Sequence, residues 1–99
     1  MNNNTGNEEL LDESFKEMCS LIAHSSDEKF IYDFFECLFT PTERHDFANR
    51  WLLVKEIEKG TPQREIAKNF NMSLCKITRG SKELNKPNSA FKKMLSKLK

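Results

Sequence analysis

The chain has 99 residues, of which 31% are charged, 37% are hydrophobic, three are glycine and three are proline. This length excludes a large multidomain protein, and the composition favours helices joined by short turns. No apolar run approaches the roughly 18 residues of a membrane span, and the first residues are polar, unlike a secretion signal, so the sequence predicts a cytoplasmic protein with no membrane partner.

The formal net charge of +1 conceals a strong asymmetry along the chain. Residues 1–59 contain six Lys and Arg against thirteen Asp and Glu, a net charge of −7, whereas residues 60–99 contain ten against two, a net charge of +8. A basic half suits a polyanionic partner, because neutralising phosphates releases condensed counterions. A solvated basic tail is the alternative that charge alone leaves open.

The acidic half is predicted to begin with an arm and a first helix. Residues 1–8 are polar and low in complexity, so we expect a disordered arm, followed by a single helical domain over residues 9–99. Apolar residues recur at helical spacing over about 9–24 and predict the first helix. These residues are Leu11, Phe15, Met18 and Ile22.

A second helix is predicted over about 26–38. Ser25 and Glu28 have the spacing of a capping box, in which the two side chains bind each other's backbone N–H groups. The helix carries five apolar residues, a broader apolar face than a small monomer needs on a short helix. They are Phe30, Ile31, Phe34, Phe35 and Leu38.

The third helix has the clearest predicted start and end. Thr40 is expected to cap it, Pro41 to occupy its first position and Glu43 to complete a capping box. The helix is expected to run to Lys59 and to stop at Gly60 in the left-handed conformation. Because it is apolar over much of its circumference, we expect it to be the central helix.

Three further helices are predicted in the basic half, over about 62–70, 73–84 and 89–98. Thr61 and Ser73 are residues of the kind that cap helices. Asn71 and Met72 form the predicted turn between the first two. Six helices with short connections and no strand signal predict an all-α fold.

The two short helices over about 62–84 have the spacing of a helix-turn-helix. Small Ala67 stands where the second helix crosses closely, Asn71 tolerates the positive φ of the turn, and Ile77 packs back from the second helix. Three more apolar residues are expected to complete the seam, namely Ile66, Phe70 and Leu74. An ordinary helical hairpin is the alternative.

Polar and basic side chains on this pair predict contact with DNA. Lys76 and Arg79 share one face of the second helix, which suits a recognition helix in the major groove, and N–H groups at a helix start can bind phosphate. The candidate DNA-binding residues are Gln63, Arg64, Leu74, Cys75, Lys76, Thr78, Arg79 and Lys82. A solvated helix face is the alternative for Lys82 and is the preferred interpretation of Lys92, Lys93, Lys97 and Lys99.

Three segments resemble signatures of the bacterial tryptophan repressor family. The most specific is Ile-Thr-Arg-Gly-Ser at residues 77–81. The others are Leu-Phe-Thr-Pro-Thr-Glu-Arg at residues 38–44, and Gly60 with Gln-Arg-Glu at residues 63–65. They occur in the family's order at nearly its spacing, and the similarity covers about residues 30–98.

The resemblance implies an intertwined homodimer of six-helix chains that binds double-stranded operator DNA. The helix-turn-helix would be a movable reading head, positioned by L-tryptophan as co-repressor, in a regulator of tryptophan biosynthesis or transport genes. The implied ligand site takes residues from the central helix of one chain and from the recognition helix of the other, with backbone carbonyls facing the ammonium. These are Thr40 and Arg50, then Arg79 and Gly80, and the carbonyls near Cys37 and Phe39.

These residue types suit an aromatic amino acid. Guanidinium planes stack on an indole and pair with a carboxylate, and Gly80 leaves room where a side chain would intrude. For Arg50 the alternative is an intrahelical ion pair with Asp46, four residues earlier.

The chain departs from the family's pattern at several positions. Lys76 replaces a small hydroxyl residue near ligand and DNA, and Glu83 replaces a serine that helps to hold the ammonium. Glu83 is therefore a candidate ligand-binding residue, either as a stronger acceptor for an ammonium or as a group that repels a carboxylate. Ala67 and Asn85 replace residues that are usually basic, and the connection after Gly60 is one residue shorter.

Two other interpretations of a binding protein remain open. A regulator of the same fold with a different ligand, or with none, fits Lys76 and Glu83. A module whose basic helix binds an acidic protein fits the charge distribution alone.

An enzyme and a metal protein are not expected. His24 and His45 have no Ser or Cys partner at a recognised motif spacing, and the chain has no glycine-rich phosphate loop. Cys19, Cys37 and Cys75 lie far apart and are odd in number, which argues against a disulfide framework or a zinc site and fits a reducing compartment.

Overall fold

The structure is a computed structural model, and it describes residues 4–98. Within that range the regular structure consists of α1 (Asn4–Ala23), α2 (Glu28–Leu38), α3 (Pro41–Lys59), α4 (Gln63–Phe70), α5 (Leu74–Leu84), α6 (Ala90–Leu95) and a final 3-10 helix (Ser96–Leu98). All of it is helical, which confirms the predicted all-α class. No helix in the described range is long and apolar enough to cross a membrane.

The chain forms two compact units, Met1–Thr40 with α1 and α2, and Pro41–Lys99 with α3 to α6. The side chains classed as buried in the described range all belong to the second unit. The single domain expected over residues 9–99 therefore stays a prediction.

The first helix is longer than the sequence predicts. It begins at Asn4, so residues 4–8 are helical and not disordered as expected, while residues 1–3 of the predicted arm lie outside the described residues. Glu8 and the Glu-Leu-Leu run after it are good helix formers. Adding a turn to an existing helix gains one hydrogen bond per residue, which accounts for the earlier start.

The cap of the second helix was predicted at the wrong residue. Asp27 is the N-cap, and its carboxylate accepts hydrogen bonds from the backbone N–H groups of Lys29 at 3.1 Å and Phe30 at 3.3 Å. The Ser25 hydroxyl instead donates to the Leu21 carbonyl at the end of α1. A serine just past the end of one helix donates to that helix's free carbonyls, and Asp27 is then the nearest acceptor for the next helix.

The end of α3 follows the prediction closely. Gly60 has φ of +91°, the Gly60 N–H donates to the Ile57 carbonyl, and the Thr61 N–H donates to the Glu56 carbonyl. This pair of bonds is the Schellman arrangement that ends a helix at glycine. The predicted cap by Thr61 was wrong, because its hydroxyl donates to Glu56 at 2.9 Å and no side chain caps α4.

Asn71 and Ser73 shape the connection between α4 and α5 as predicted. Asn71 adopts the left-handed conformation with φ of 53° and ψ of 47°, and the Ser73 hydroxyl accepts from the Lys76 N–H at 3.3 Å. The apolar seam differs at one position. Leu74 is 57% exposed and does not complete it, whereas Met72 in the turn packs against the buried cluster.

The core of the second unit consists of two small clusters. The first contains Leu53, Ile66 and Ile77, with Ile57, Ala67, Phe70 and Met72 packed around it. The second contains Val54, Leu84 and Leu95, with Trp51, Ile57 and Phe91 packed around it. Leu53 and Val54 are adjacent on α3, so this central helix supplies one residue to each cluster.

The last helix, in contrast to the first, is shorter than predicted. Ser89 caps α6, and its hydroxyl accepts from the Lys92 N–H at 3.3 Å. The α-helix ends at Leu95, and the remaining residues to Leu98 form the 3-10 helix.

Gly80 marks a close approach between α5 and α3. A Cβ atom at this position would lie 3.0 Å from the Leu53 Cδ2 atom and 3.6 Å from the Ile57 Cδ1 atom. The absence of a side chain therefore lets the middle of α5 pack directly on the central helix.

We expect Gly80→Val to lower the free energy of unfolding by about 1–3 kcal/mol, because its methyl groups overlap Leu53 in a packed core. Chemical denaturation of the variant measures this difference. Lys82→Val is the matched control, since Lys82 lies exposed on the same helix. An equal loss in both variants would show that the β-branched side chain, and not the contact with α3, is responsible.

We also expect the stability contributed by Glu56 to depend on pH. Hydrogen bonds from Lys59 and then from Thr61 hold the pKa of the Glu56 carboxyl below its ordinary value of 4.5. A carboxyl with a lowered pKa in the folded state stabilises the fold above its unfolded pKa, and this contribution is lost as the pH falls through the folded value. Glu56→Gln should therefore be less stable than the wild type at pH 7, and the difference should shrink below pH 4.5. A difference that is constant across this range in urea denaturation would contradict the role of the charge.

Candidate functional site

The candidate DNA-binding residues form an exposed surface on α4 and α5. Gln63 and Arg64 occupy the first turn of α4. The other six begin with Leu74 at the start of α5 and follow that helix as Cys75, Lys76, Thr78, Arg79 and Lys82. All eight are exposed, so the structure leaves this surface accessible to a partner.

The same helix also forms one wall of a cavity. The cavity has a volume of about 490 Å³ and lies in the second unit, where α5 packs against α3. Its apolar lining comes from Leu53, Val54, Met72 and Phe91. Its polar lining comes from Asp46, Asn49 and Arg50 on α3 and from Lys76, Arg79 and Glu83 on α5, with Gly80 between them.

The helical spacing of the lining residues explains why they face the same cavity. On α3 the lining positions follow the helical repeat from Asp46 to Val54, and on α5 they follow it from Lys76 to Glu83. Residues three and four apart lie on the same face of a helix. One face of each helix therefore supplies both charged and apolar groups to the same space.

Arg50 and Arg79 bring positive charge to the cavity. The intrahelical pair considered for Arg50 is not formed, because no ion pair within the described residues joins it to Asp46 or to another carboxylate. Arg79 likewise has no ion-pair partner among the described residues, so both guanidinium groups are available to a ligand.

Glu83 brings a negative charge to the cavity lining. Its carboxylate accepts a hydrogen bond from the Lys86 ammonium at 2.8 Å. This bond is the main reason that the pKa of the Glu83 carboxyl lies below its ordinary value, and the positive charge of Arg79 lowers it further. Glu83 is therefore ionised at neutral pH.

Four of the seven predicted ligand-binding residues line this one cavity. They are Arg50, Arg79, Gly80 and Glu83. The other three belong to the first unit, where Cys37 lies near the end of α2 and Phe39 and Thr40 follow that helix. Cys37 and Thr40 are exposed and Phe39 is half-buried, and their role in binding stays a prediction.

Several cavity residues were not predicted from the sequence. Asp46 and Asn49 share the helical face of Arg50, so the repeat around Arg50 was the signal that could have found them. Met72 lies in the turn before α5 and Phe91 on α6. Their positions depend on how the helices pack, for which a local sequence pattern carries no signal.

Metal-binding side chains do not converge within residues 4–98. No three His, Cys, Asp or Glu residues of that range are placed to hold a metal ion together. Cys19, Cys37 and Cys75 are all free and exposed.

Comparison with known proteins identifies relatives over most of the chain. The profile of the family described as "Trp repressor protein" matches residues 13–99. A Trp operon repressor homolog of Chlamydia trachomatis serovar D is 35% identical over 86 residues, which cover 86% of this chain and 88% of the relative. No solved structure matches the chain.

Two further relatives carry the same name. The Trp operon repressor homolog of Chlamydia caviae is 39% identical over 85 residues, covering 85% of this chain and 81% of the relative. That of Vibrio vulnificus strain YJ016 is 32% identical over 85 residues, covering 85% and 83%. The chain belongs to the Trp repressor family.

Membership of the Trp repressor family shows which class of protein carries the exposed surface and the cavity. The family consists of DNA-binding transcription regulators, so the chain is a regulator of the repressor type. The predicted resemblance is confirmed by the family match and by the relatives.

Proposed function

We propose that this protein is a homodimeric repressor that binds operator DNA and is activated by L-tryptophan. The observation that carries the proposal is a cavity between α3 and α5 to which Arg50 and Arg79 bring guanidinium groups without ion-pair partners in the described range. The regulated genes are proposed to be those of tryptophan biosynthesis or transport.

The lining of the cavity suits tryptophan in three respects. The guanidinium groups of Arg50 and Arg79 pair with the carboxylate and stack on the indole. Leu53 and Val54 offer an apolar surface for the ring, and Glu83 accepts a hydrogen bond from the ammonium. By resemblance to the family, Thr40 and the carbonyls near Cys37 and Phe39 also belong to the site. The resemblance implies that Thr40 and Arg50 come from one chain and Arg79 and Gly80 from the other, whereas here Arg50, Arg79 and Gly80 of a single chain line the same cavity.

The DNA-binding role is proposed for the surface on α4 and α5. The net charge of +8 over residues 60–99 attracts the phosphate backbone, and the exposed start of α5 suits insertion into the major groove. In this arrangement Gln63 and Arg64 contact the backbone. Lys76, Thr78 and Arg79 lie near the bases, with Leu74, Cys75 and Lys82 at the edge of the contact.

Ligand and DNA binding are proposed to be coupled through α5. Lys76 and Arg79 belong both to the cavity lining and to the exposed surface, so a ligand in the cavity restricts the orientation of the side chains that meet DNA. A ligand raises DNA affinity only by as much as it prefers the DNA-binding arrangement.

The homodimer is supported by apolar surface that the single chain leaves uncovered. Large apolar side chains of α1 and α2 are exposed, among them Leu10, Leu11, Phe15, Leu21, Phe30, Tyr32 and Leu38. Covering them with a second copy removes this area from water, which is the main favourable contribution to association.

A repressor of the same fold with a different ligand, or with none, is the second candidate. It is favoured by Lys76 and Glu83, which add a positive and a negative charge to the cavity lining where the family resemblance leads us to expect small hydroxyl residues.

We expect isothermal titration of L-tryptophan into the protein to show saturable binding of one ligand per chain. Arg50→Ala should abolish or strongly weaken it, because the carboxylate loses a charged partner that contributes about 1.5–3 kcal/mol. Arg64→Ala is the matched control, since Arg64 is an exposed arginine outside the cavity lining. An absence of binding to the wild type would favour the second candidate.

We expect duplex DNA recovered from a random-sequence pool to be enriched in one operator sequence, and more strongly with L-tryptophan present. On that operator, Lys82→Met should reduce the slope of log K against log salt concentration by about 0.9, the value for one lost phosphate contact. Lys93→Met is the control, since Lys93 is an exposed lysine on α6 that is not among the proposed DNA-binding residues. Enrichment that ignores tryptophan and every other amino acid would indicate a regulator without this ligand.

A further inference from the structure

The Glu83 carboxylate lines the cavity that is proposed to bind the carboxylate of the ligand. It is half-buried, lies on the cavity-lining face of α5, and follows Arg79 by four residues on that helix. It also lines a second, smaller cavity of about 230 Å³ toward α6, which it shares with Lys86 and Phe91.

Lys86 donates to only one of the two carboxylate oxygens of Glu83. The Lys86 ammonium donates to the Oε2 atom of Glu83 at 2.8 Å, and no other hydrogen bond to this carboxylate occurs within the described residues. Lys86 is outside the lining of the larger cavity, whereas Glu83 belongs to both linings. The Oε1 atom therefore keeps its capacity to accept a hydrogen bond from a ligand.

The charges of the cavity lining restrict the ligand that fits. An amino acid presents a carboxylate and an ammonium together, so it can satisfy the guanidinium groups and Glu83 at the same time. A carboxylic acid with the same ring but without the amine brings no donor to the Oε1 atom of Glu83 and adds a like charge to a lining that already holds Glu83 and Asp46, and both effects disfavour binding. A hydroxyl residue at this position would accept from the ammonium without repelling such an acid.

We propose that Glu83 makes the ammonium group of the ligand obligatory, so that the cavity binds an aromatic amino acid and rejects the matching aromatic acid that has no amine. This inference depends on the proposed function, since it concerns how the same cavity chooses among indole ligands. It names Glu83 as the residue that determines this specificity.

The test is calorimetric titration with L-tryptophan and with indole-3-propionate, which has the same ring and carboxylate but no amine. We expect the wild type to bind L-tryptophan at least about 10-fold more tightly, the lower range for a hydrogen bond to a charged group. In Glu83→Gln the ratio of the two dissociation constants should fall toward one. Weaker binding of both ligands at an unchanged ratio would mean that Glu83 supports the shape of the cavity and not its choice of ligand, which contradicts the inference.

The matched control is Glu65→Gln, which removes an exposed carboxylate from α4 and should keep the wild-type ratio. If circular dichroism shows that Glu83→Gln does not fold, Glu83→Ser is measured in the same way. Equal affinity of the wild type for the two ligands, or an unchanged ratio in the Glu83 variant, would overturn the inference while the proposed function stands. Binding of neither ligand to the wild type would overturn both.

Discussion

Contact between Gly80 and Leu53 sets the distance between α5 and the central helix, and the functional features of the second unit depend on that distance. With no side chain at Gly80, α5 lies directly on α3, and each of the two buried clusters takes one residue from α3 and one from α5. The cavity is the remaining space along the same helix pair. A bulkier residue at position 80 would alter the core, the cavity and the orientation of the exposed surface together, because all three are built on one helix packing.

In the proposed function, the close packing lets one short helix take part in two kinds of recognition. α5 has eleven residues, and its buried face holds Ile77 and Leu84 in the core. Lys76 and Arg79 lie between this face and the exposed one, where a side chain reaches both the cavity and solvent. The proposed coupling of ligand to DNA through α5 therefore needs no chain of intermediate residues, since the same side chains line the cavity and belong to the exposed surface.

The fold was predictable where a backbone conformation accepts few residue types. Gly60 and Asn71 adopt the left-handed backbone that the sequence indicates, and both helix junctions follow. Prediction was wrong where neighbouring residues compete for one role, as with Ser25 and Asp27 at the start of α2. It was also wrong where packing decides, since Leu74 is exposed and Met72 is packed on the core. Among the cavity residues, Arg50, Arg79, Gly80 and Glu83 were predicted from the family resemblance, whereas Lys76 was predicted only as a DNA contact and Phe91 comes from a separate helix.

The uncovered apolar side chains of α1 and α2 have a consequence for the amount of repressor in a cell. In the proposed homodimer these side chains are buried only when two chains meet, so the stability of each chain rises with its concentration. Chains made in small numbers would spend more time dissociated, with Phe15, Leu21 and their neighbours open to proteases and to aggregation. The amount of chain that the cell makes then controls repressor activity in addition to the ligand. The regulator would become effective only above a threshold set by its own association, which makes its response to expression steeper than proportional.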